Sequence, residues 1–215
     1  MIMILEFCAE NFTDIPKAIE LGATRIELCD NLAEGGTTPS YAVIEHTVKY
    51  ANENNTPVMT MVRPRGGDFV YTNFEFEMMK KDLQMMKDLG THGVVFGVLT
   101  EDNRIDRERT KELVELSENM ETVYHMAFDQ IPAELRKEEL DWLIEQGVTR
   151  ILTHGGLGDT VFDHADGLKE LMEHADGRIQ ILLGGGVTHE NWEKLSEILP
   201  TDQFHGTKIV DFSKE

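Results

Sequence analysis

Short apolar runs and amphipathic stretches alternate along this chain from end to end. The opening Met1-Ile2-Met3-Ile4-Leu5 run predicts a strand over about residues 3–8. Ile15, Ala18 and Ile19 then recur at helical spacing between Thr13 and Leu21, and Gly22 stops them. Arg25–Cys29 is the second strand. A Glu34-Gly35-Gly36 loop leads to a helix over about 40–52, and Pro57–Val62 is the third strand. Arg63-Pro64-Arg65-Gly66-Gly67-Asp68 separates it from a helix over about 74–89, which Gly90 ends. Gly93–Leu99 is apolar throughout, the mark of a strand buried on both faces. Asp106 caps a helix running to Glu118, and Thr122–Phe128 is the fifth strand. The series continues with a helix over Glu134–Glu145, a strand over Arg150–Thr153, a helix over Val161–Ala175 and a strand over Ile179–Leu183. A helix over Thr188–Leu199 and a strand over Gln203–Gly206 complete it.

Eight strands with seven intervening helices demand parallel pairing with helical crossovers. The predicted fold is an α/β TIM (β/α)8 barrel in a single domain over 1–215, with an open doubly wound sheet as the lesser alternative. Such barrels typically run to about 250 residues, and only residues 207–215 follow the last strand, so the eighth helix is missing or truncated. That shortfall predicts an exposed apolar flank beside the first and last strands. A second subunit covering it would make the protein a homo-oligomer, a dimer or tetramer.

Period-two alternation assigns faces. Ile4-Leu5-Glu6-Phe7-Cys8 and Arg25-Ile26-Glu27-Leu28-Cys29 match one another, so Glu6 with Cys8 and Glu27 with Cys29 point inward on consecutive strands. In a barrel the site lies at the C-terminal strand ends. Those ends offer Met61, Arg63 and Arg65, then His125 and Asp129, Thr153 with His154 beside it, Gly184-Gly185-Gly186, and His205. Glu6, Glu27 and the His125–Asp129 pair are candidate acid–base groups, or Glu6 and Glu27 are structural partners of Arg63 and Arg65. Arg63, Arg65 and Asp68 sit in a rigid Pro/Gly loop suited to gripping a carboxylate or phosphate. The triple glycine stands where barrels bind phosphate through backbone N–H groups, though a tight turn also wants glycine. Thr153 and His205 complete the candidate substrate-binding set. Met78, Met79, Met85 and Met86 fall at spacings of seven on one helix and predict a packing stripe. His164, His174 and His189 fall away from the strand ends and read as surface residues.

The balance of 20 basic against 40 acidic residues gives a net charge of −20, which repels nucleic acid and anionic membranes. It also sets apart any local cluster of arginines. The apolar opening is cut by Glu6 and lacks a basic start, so it reads as a strand rather than an export signal, and no stretch is long enough to span a bilayer. Two cysteines without such a signal predict reduced thiols in a cytoplasm.

The stretches Glu6-Phe7-Cys8, Gly22-Ala23-Thr24-Arg25-Ile26-Glu27-Leu28-Cys29 and Glu34-Gly35-Gly36-Thr37-Thr38-Pro39-Ser40 resemble the copper homeostasis protein CutC family. So do Arg63-Pro64-Arg65-Gly66-Gly67-Asp68-Phe69, Val95-Phe96-Gly97-Val98-Leu99-Thr100, Ala127-Phe128-Asp129, the triple glycine and Phe204-His205-Gly206. The resemblance spans nearly the whole chain. It implies a TIM barrel, a cytoplasmic setting, self-association and a role in Cu(I) binding and copper tolerance, with Cys8 and Cys29 as the copper thiols. The chain departs from the family pattern at Met126, where arginine is usual, at Leu183, where proline is usual, and at His154, where serine is usual.

Two functions follow. Cys8 and Cys29 are soft ligands for Cu(I), with Met61 a further donor. Alternatively the mouth is that of an enzyme acting on a small anionic metabolite. In that case Arg63 and Arg65 hold the anion and Glu6, Glu27 or the His125–Asp129 pair moves a proton.

Overall fold

A computed structural model describes residues 3–158 and 160–214, so Met1 and Ile2 of the opening run lie outside it. Eight parallel strands close on themselves in sequence order: β1 (Ile4–Glu10), β2 (Arg25–Cys29), β3 (Val58–Met61), β4 (Gly93–Phe96), β5 (Glu121–Tyr124), β6 (Arg150–Thr153), β7 (Gln180–Leu183) and β8 (Gln203–Gly206). Seven helices cross between them: α1 (Ile15–Glu20), α2 (Tyr41–Glu53), α3 (Asn73–Asp88), α4 (Arg107–Ser117), α5 (Arg136–Glu145), α6 (Ala165–Ala175) and α7 (Trp192–Ile198). The chain is a TIM barrel. No helix follows β8 among the described residues.

Local chemistry explains the punctuation. Gly22, Gly90 and Gly147 take φ of 102°, 77° and 78° just past α1, α3 and α5, the left-handed cap that favours glycine. Thr72 and Glu75 form a reciprocal capping box at the start of α3. Outward-facing strand residues such as Phe7, Ile26, Val94, Phe96 and Ile151 pack against the helices in one continuous core. The barrel interior holds a second, smaller apolar group that includes Met59, Val95, Val123, Leu152 and Leu182.

Three expectations change. The fifth strand stops at Tyr124, and Met126–Gln130 is a 3-10 turn, because His125 Nδ1 accepts the Ala127 N–H and turns the chain out of the sheet. The methionine stripe splits: Met79 and Met86 are fully buried, whereas Met78 is 54% exposed, because adjacent positions on a helix face about 100° apart. The flank between β8 and β1 is partly covered from within the chain, by residues that include the 38% exposed Phe212. Ile209 and Val210 are buried there, and the Phe212 ring lies 5.4 Å from that of Phe7.

No helix among the described residues is long and apolar enough to cross a membrane.

Candidate functional site

The lower barrel is plugged by charge. Register places Glu6 opposite Arg25 on β2 and opposite His205 on β8. Arg25 Nε donates to Glu6 Oε2, and Arg25 Nη2 donates to Gln203 Oε1 at 2.9 Å. Arg150, 2% exposed, donates to Gln180 Oε1 at 3.1 Å and to Glu121 Oε2 at 2.5 Å. Burial pushes the Glu6 carboxyl up, but Arg25, then His205 and Arg150, overcome it and hold the pKa at about 2. Glu6 therefore stays ionised and pins His205, whose Nδ1 lies 2.8 Å from Glu6 Oε1.

Above this plug the inward chemistry of β1, β2 and β8 converges. Cys8 Sγ lies 3.4 Å and Cys29 Sγ 3.5 Å from the same Glu27 oxygen, Oε2, and His205 Nε2 lies 3.7 Å from it. Burial pushes the Glu27 carboxyl well up, further than the His205 charge can pull it down, so Glu27 is a neutral acid. Its other oxygen, Oε1, is buried without a hydrogen-bond partner. Burial works against the charged form of His205, yet Cys8 and Glu6 beside it more than compensate and raise its pKa well above the ordinary value. The two thiols divide. A hydrogen bond from Cys29, set against burial and joined by the His205 charge, brings Cys8 well below the ordinary thiol range. The same contact together with burial pushes Cys29 up.

These groups form the floor of a cavity of about 780 Å³ at the C-terminal strand ends. Cys8, Glu27 and His205 line it; Cys29, fully buried, stands behind, so close to Gly36 that a Cβ added there would fall 3.1 Å from its sulfur. Arg63, also in the wall, spends its outer nitrogens on the carbonyls of Glu34, Gly36 and Gly67, while Nε is buried without a partner. No carboxylate neutralises it among the described residues. His125 packs 4.9 Å from the Phe69 ring, and Gly97 makes room for it, since a Cβ there would fall 2.5 Å from the imidazole. Burial, then Arg63, lowers the His125 pKa to about 3. Because Nδ1 accepts a backbone N–H, the neutral ring carries its proton on Nε2, which is buried without a partner.

Several sequence candidates take other places. Arg65 turns away from the cavity to Glu75 at 2.6 Å and Asp68 at 3.1 Å, so Arg65 and Asp68 brace the start of α3. Neither Arg63 nor Arg65 reaches Glu6 or Glu27; that pairing belongs to Arg25. Asp129 does not orient His125. The 3-10 turn swings it to β6, where it accepts the Thr153 hydroxyl and the His154 backbone N–H, and its Oδ2 lies 3.1 Å from His154 Nε2. Burial raises the Asp129 pKa against the pull of His154. Thr153 is thus buried support. Gly184 lies against His205, whereas Gly185 and Gly186 reach the cavity. His154, Thr207 and Lys208 join the lining although sequence parity did not select them. His154 follows a strand end and was visible there; the two residues past β8 carried no signal.

The CutC family model matches residues 3–210. The chain is 54% identical over 209 residues to a CutC family protein of Enterococcus faecalis, covering 97% of this chain and all of that one. It is 38% identical over 202 residues to the human copper homeostasis protein cutC homolog, covering 94% of this chain and 72% of that one. The crystal structure of CutC from Streptococcus agalactiae superposes with a TM-score of 0.94 at 42% identity, covering 98% of this chain and all of that one. A family match across almost the whole chain, joined to the closed barrel and its inward Cys8 and Cys29, places this protein in the CutC family.

Proposed function

We propose that this protein is an enzyme that moves a proton on a small anionic metabolite held in the barrel mouth. One observation carries the reading. Glu27, a buried neutral acid with Oε1 free of partners, meets the acidified Cys8 thiol at the floor of a cavity far larger than an ion requires. Paired groups whose environments drive their pKa values apart are suited to acid and base roles. In this reading Cys8 Sγ accepts a proton from substrate carbon and Glu27 Oε1 returns one, so the net change is an isomerisation needing no oxidant. His205, pinned by Glu6, stabilises the Cys8 thiolate. His125 Nε2–H is a neutral donor available to developing oxyanion charge. The test is incubation in deuterium oxide with a panel of phosphorylated and carboxylate metabolites, read by loss of proton signal in NMR. Exchange that vanishes in Glu27→Gln and Cys8→Ser supports the assignment; exchange that persists in both overturns it.

Copper binding is the second reading, favoured by the two thiols meeting at one carboxylate oxygen and by the copper homeostasis names of the mouse and human relatives. The donor set fits Cu(I): Cys8 and Cys29 supply soft sulfur, and His205 a borderline imidazole. Cu(I) here is cargo, and its loading would require the Cys29 thiol and the His205 imidazolium each to shed a proton. Anaerobic Cu(I) titration should show tighter binding by the wild type than by the Cys8→Ser/Cys29→Ser double variant. Equal affinity removes the thiolate site. A cytoplasmic setting and self-association accompany either reading.

A further inference from the structure

The loops after β7 and β8 leave backbone donors open where they face the cavity. Among the described residues, the amides of Gly185, Gly186, Val187 and Thr207 meet no protein acceptor, although all four residues line the cavity and Val187 is buried. Their carbonyls show which way the donors turn. Gly185 C=O accepts the Val161 N–H at 3.0 Å, and Gly186 C=O accepts Asn191 Nδ2 at 2.9 Å. In a trans peptide the N–H points opposite to the C=O, so the Gly186 and Val187 amides face away from those partners. Glycine is required here for space as well as for its φ of +85°: a Cβ at Gly185 would fall 2.6 Å from the His154 ring.

Two further observations point to an anion. Among the described residues the cavity wall has Glu27 and Asp129 as acids against Arg63, Lys208, His154 and His205, in a protein with twice as many acidic as basic residues. The Arg63 charge in the wall has no carboxylate beside it among the described residues, and its Nε donor is buried without a partner. Distance ties the glycine loop to the floor. A Cβ at Gly184 would lie 3.3 Å from His205 Cδ2, and Nε2, bonded to that carbon, lies 3.7 Å from Glu27 Oε2. The glycine loop and Glu27 thus meet the same edge of the His205 ring.

We propose that Gly185, Gly186, Val187 and Thr207, with Lys208, form a subsite for a phosphate monoester. The substrate is then a small phosphorylated metabolite whose phosphate sits on these amides while its reacting carbon lies over Cys8 and Glu27. The placement of the carbon rests on the proton-transfer reading above; the phosphate subsite stands without it. Several free N–H groups and one ammonium match a tetrahedral oxyanion, whereas a planar carboxylate suits the Arg63 side of the cavity.

Nitrogen-15 NMR of the full chain, titrated with inorganic phosphate, glycerol phosphate and glycerol, decides the matter. The four amides should move downfield with phosphate and glycerol phosphate but not with glycerol. Lys208→Ala, an exposed side chain whose loss leaves the fold intact, should weaken the response roughly tenfold. Glu27→Gln should leave it unchanged. Silence of the four amides at millimolar phosphate, or shifts confined to the Arg63 loop, overturns the subsite. If the amides respond but no phosphorylated compound exchanges deuterium, the subsite stands and the proton-transfer reading falls. If non-phosphorylated acids exchange deuterium while the amides stay silent, the subsite falls and that reading stands.

Discussion

Glu6 and Glu27 sit on adjacent strands, equally buried and each beside His205, yet the structure requires opposite responses to the same substitution. Glu6 is ionised against Arg25, and the fall from an ordinary carboxylate value of 4.5 to about 2 corresponds to about 3 kcal/mol of stability. Its folded pKa lies below the unfolded one, so this contribution is complete above about pH 4.5 and disappears as the pH falls through about 2. Glu6→Gln removes it and leaves Arg25 buried without a counter-charge, so the expected cost near neutral pH is about 3–5 kcal/mol. Glu27 is the reverse case. Its folded pKa lies above the unfolded one, so its contribution is complete below about pH 4.5 and is lost as the pH rises toward the folded value. Glutamine mimics the neutral acid, so Glu27→Gln should cost less than about 1 kcal/mol and should gain on the wild type as the pH rises above about 5. Urea unfolding followed by the fluorescence of Trp142 and Trp192 at a series of pH values measures both differences. Equal costs for the two variants, or differences that do not change with pH, would refute the assignment of one charged and one neutral glutamate.

Other outcomes follow from the same geometry. Iodoacetamide should modify Cys8, which lines the cavity with a depressed pKa, much faster than Cys29, which is fully buried with a raised one; mass spectrometry of the timed digest reads the order, and equal rates contradict it. The His125 ring resonances should show no titration above about pH 5, given a pKa of about 3; a midpoint near the ordinary 6.5 would place the ring in water instead. Gly97→Ala, whose new Cβ would fall 2.5 Å from the His125 ring, should destabilise by about 1–3 kcal/mol in urea unfolding. Met86→Ala should cost about 2–5 kcal/mol and Met78→Ala under about 0.5, and similar costs would restore the single methionine stripe.

Much of the fold was legible because a barrel repeats one local code. Apolar strand, amphipathic helix and terminal glycine recur with enough regularity that eight strands and seven helices emerge from periodicity, and most of their boundaries stand within a few residues. The inward placement of Glu6, Cys8, Glu27, Cys29 and His205 was legible for the same reason, since parity along a strand is a local property. Arg25 shares that parity with Glu27 and Cys29, so the partner of Glu6 was already written in the second strand. Asp129 was assigned to the wrong neighbour because parity holds only while the strand lasts, and β5 ends five residues earlier, at Tyr124.

Sequence by itself determined the barrel and which strand residues face inward, because spacing along the chain sets these through bonded geometry. Only the tertiary structure decided how deep each inward group lies and what it meets. Strand stagger puts Glu6 beside Arg25 and His205, lifts Cys8 and Glu27 to the cavity floor, and sends Arg65 outward to α3. Those contacts join residues as far apart as Glu6 and His205, whose approach depends on closure of the whole sheet. The protonation states follow from that closure: burial and neighbouring charge, neither of which has any trace in local sequence, make one glutamate an anion and the next an acid.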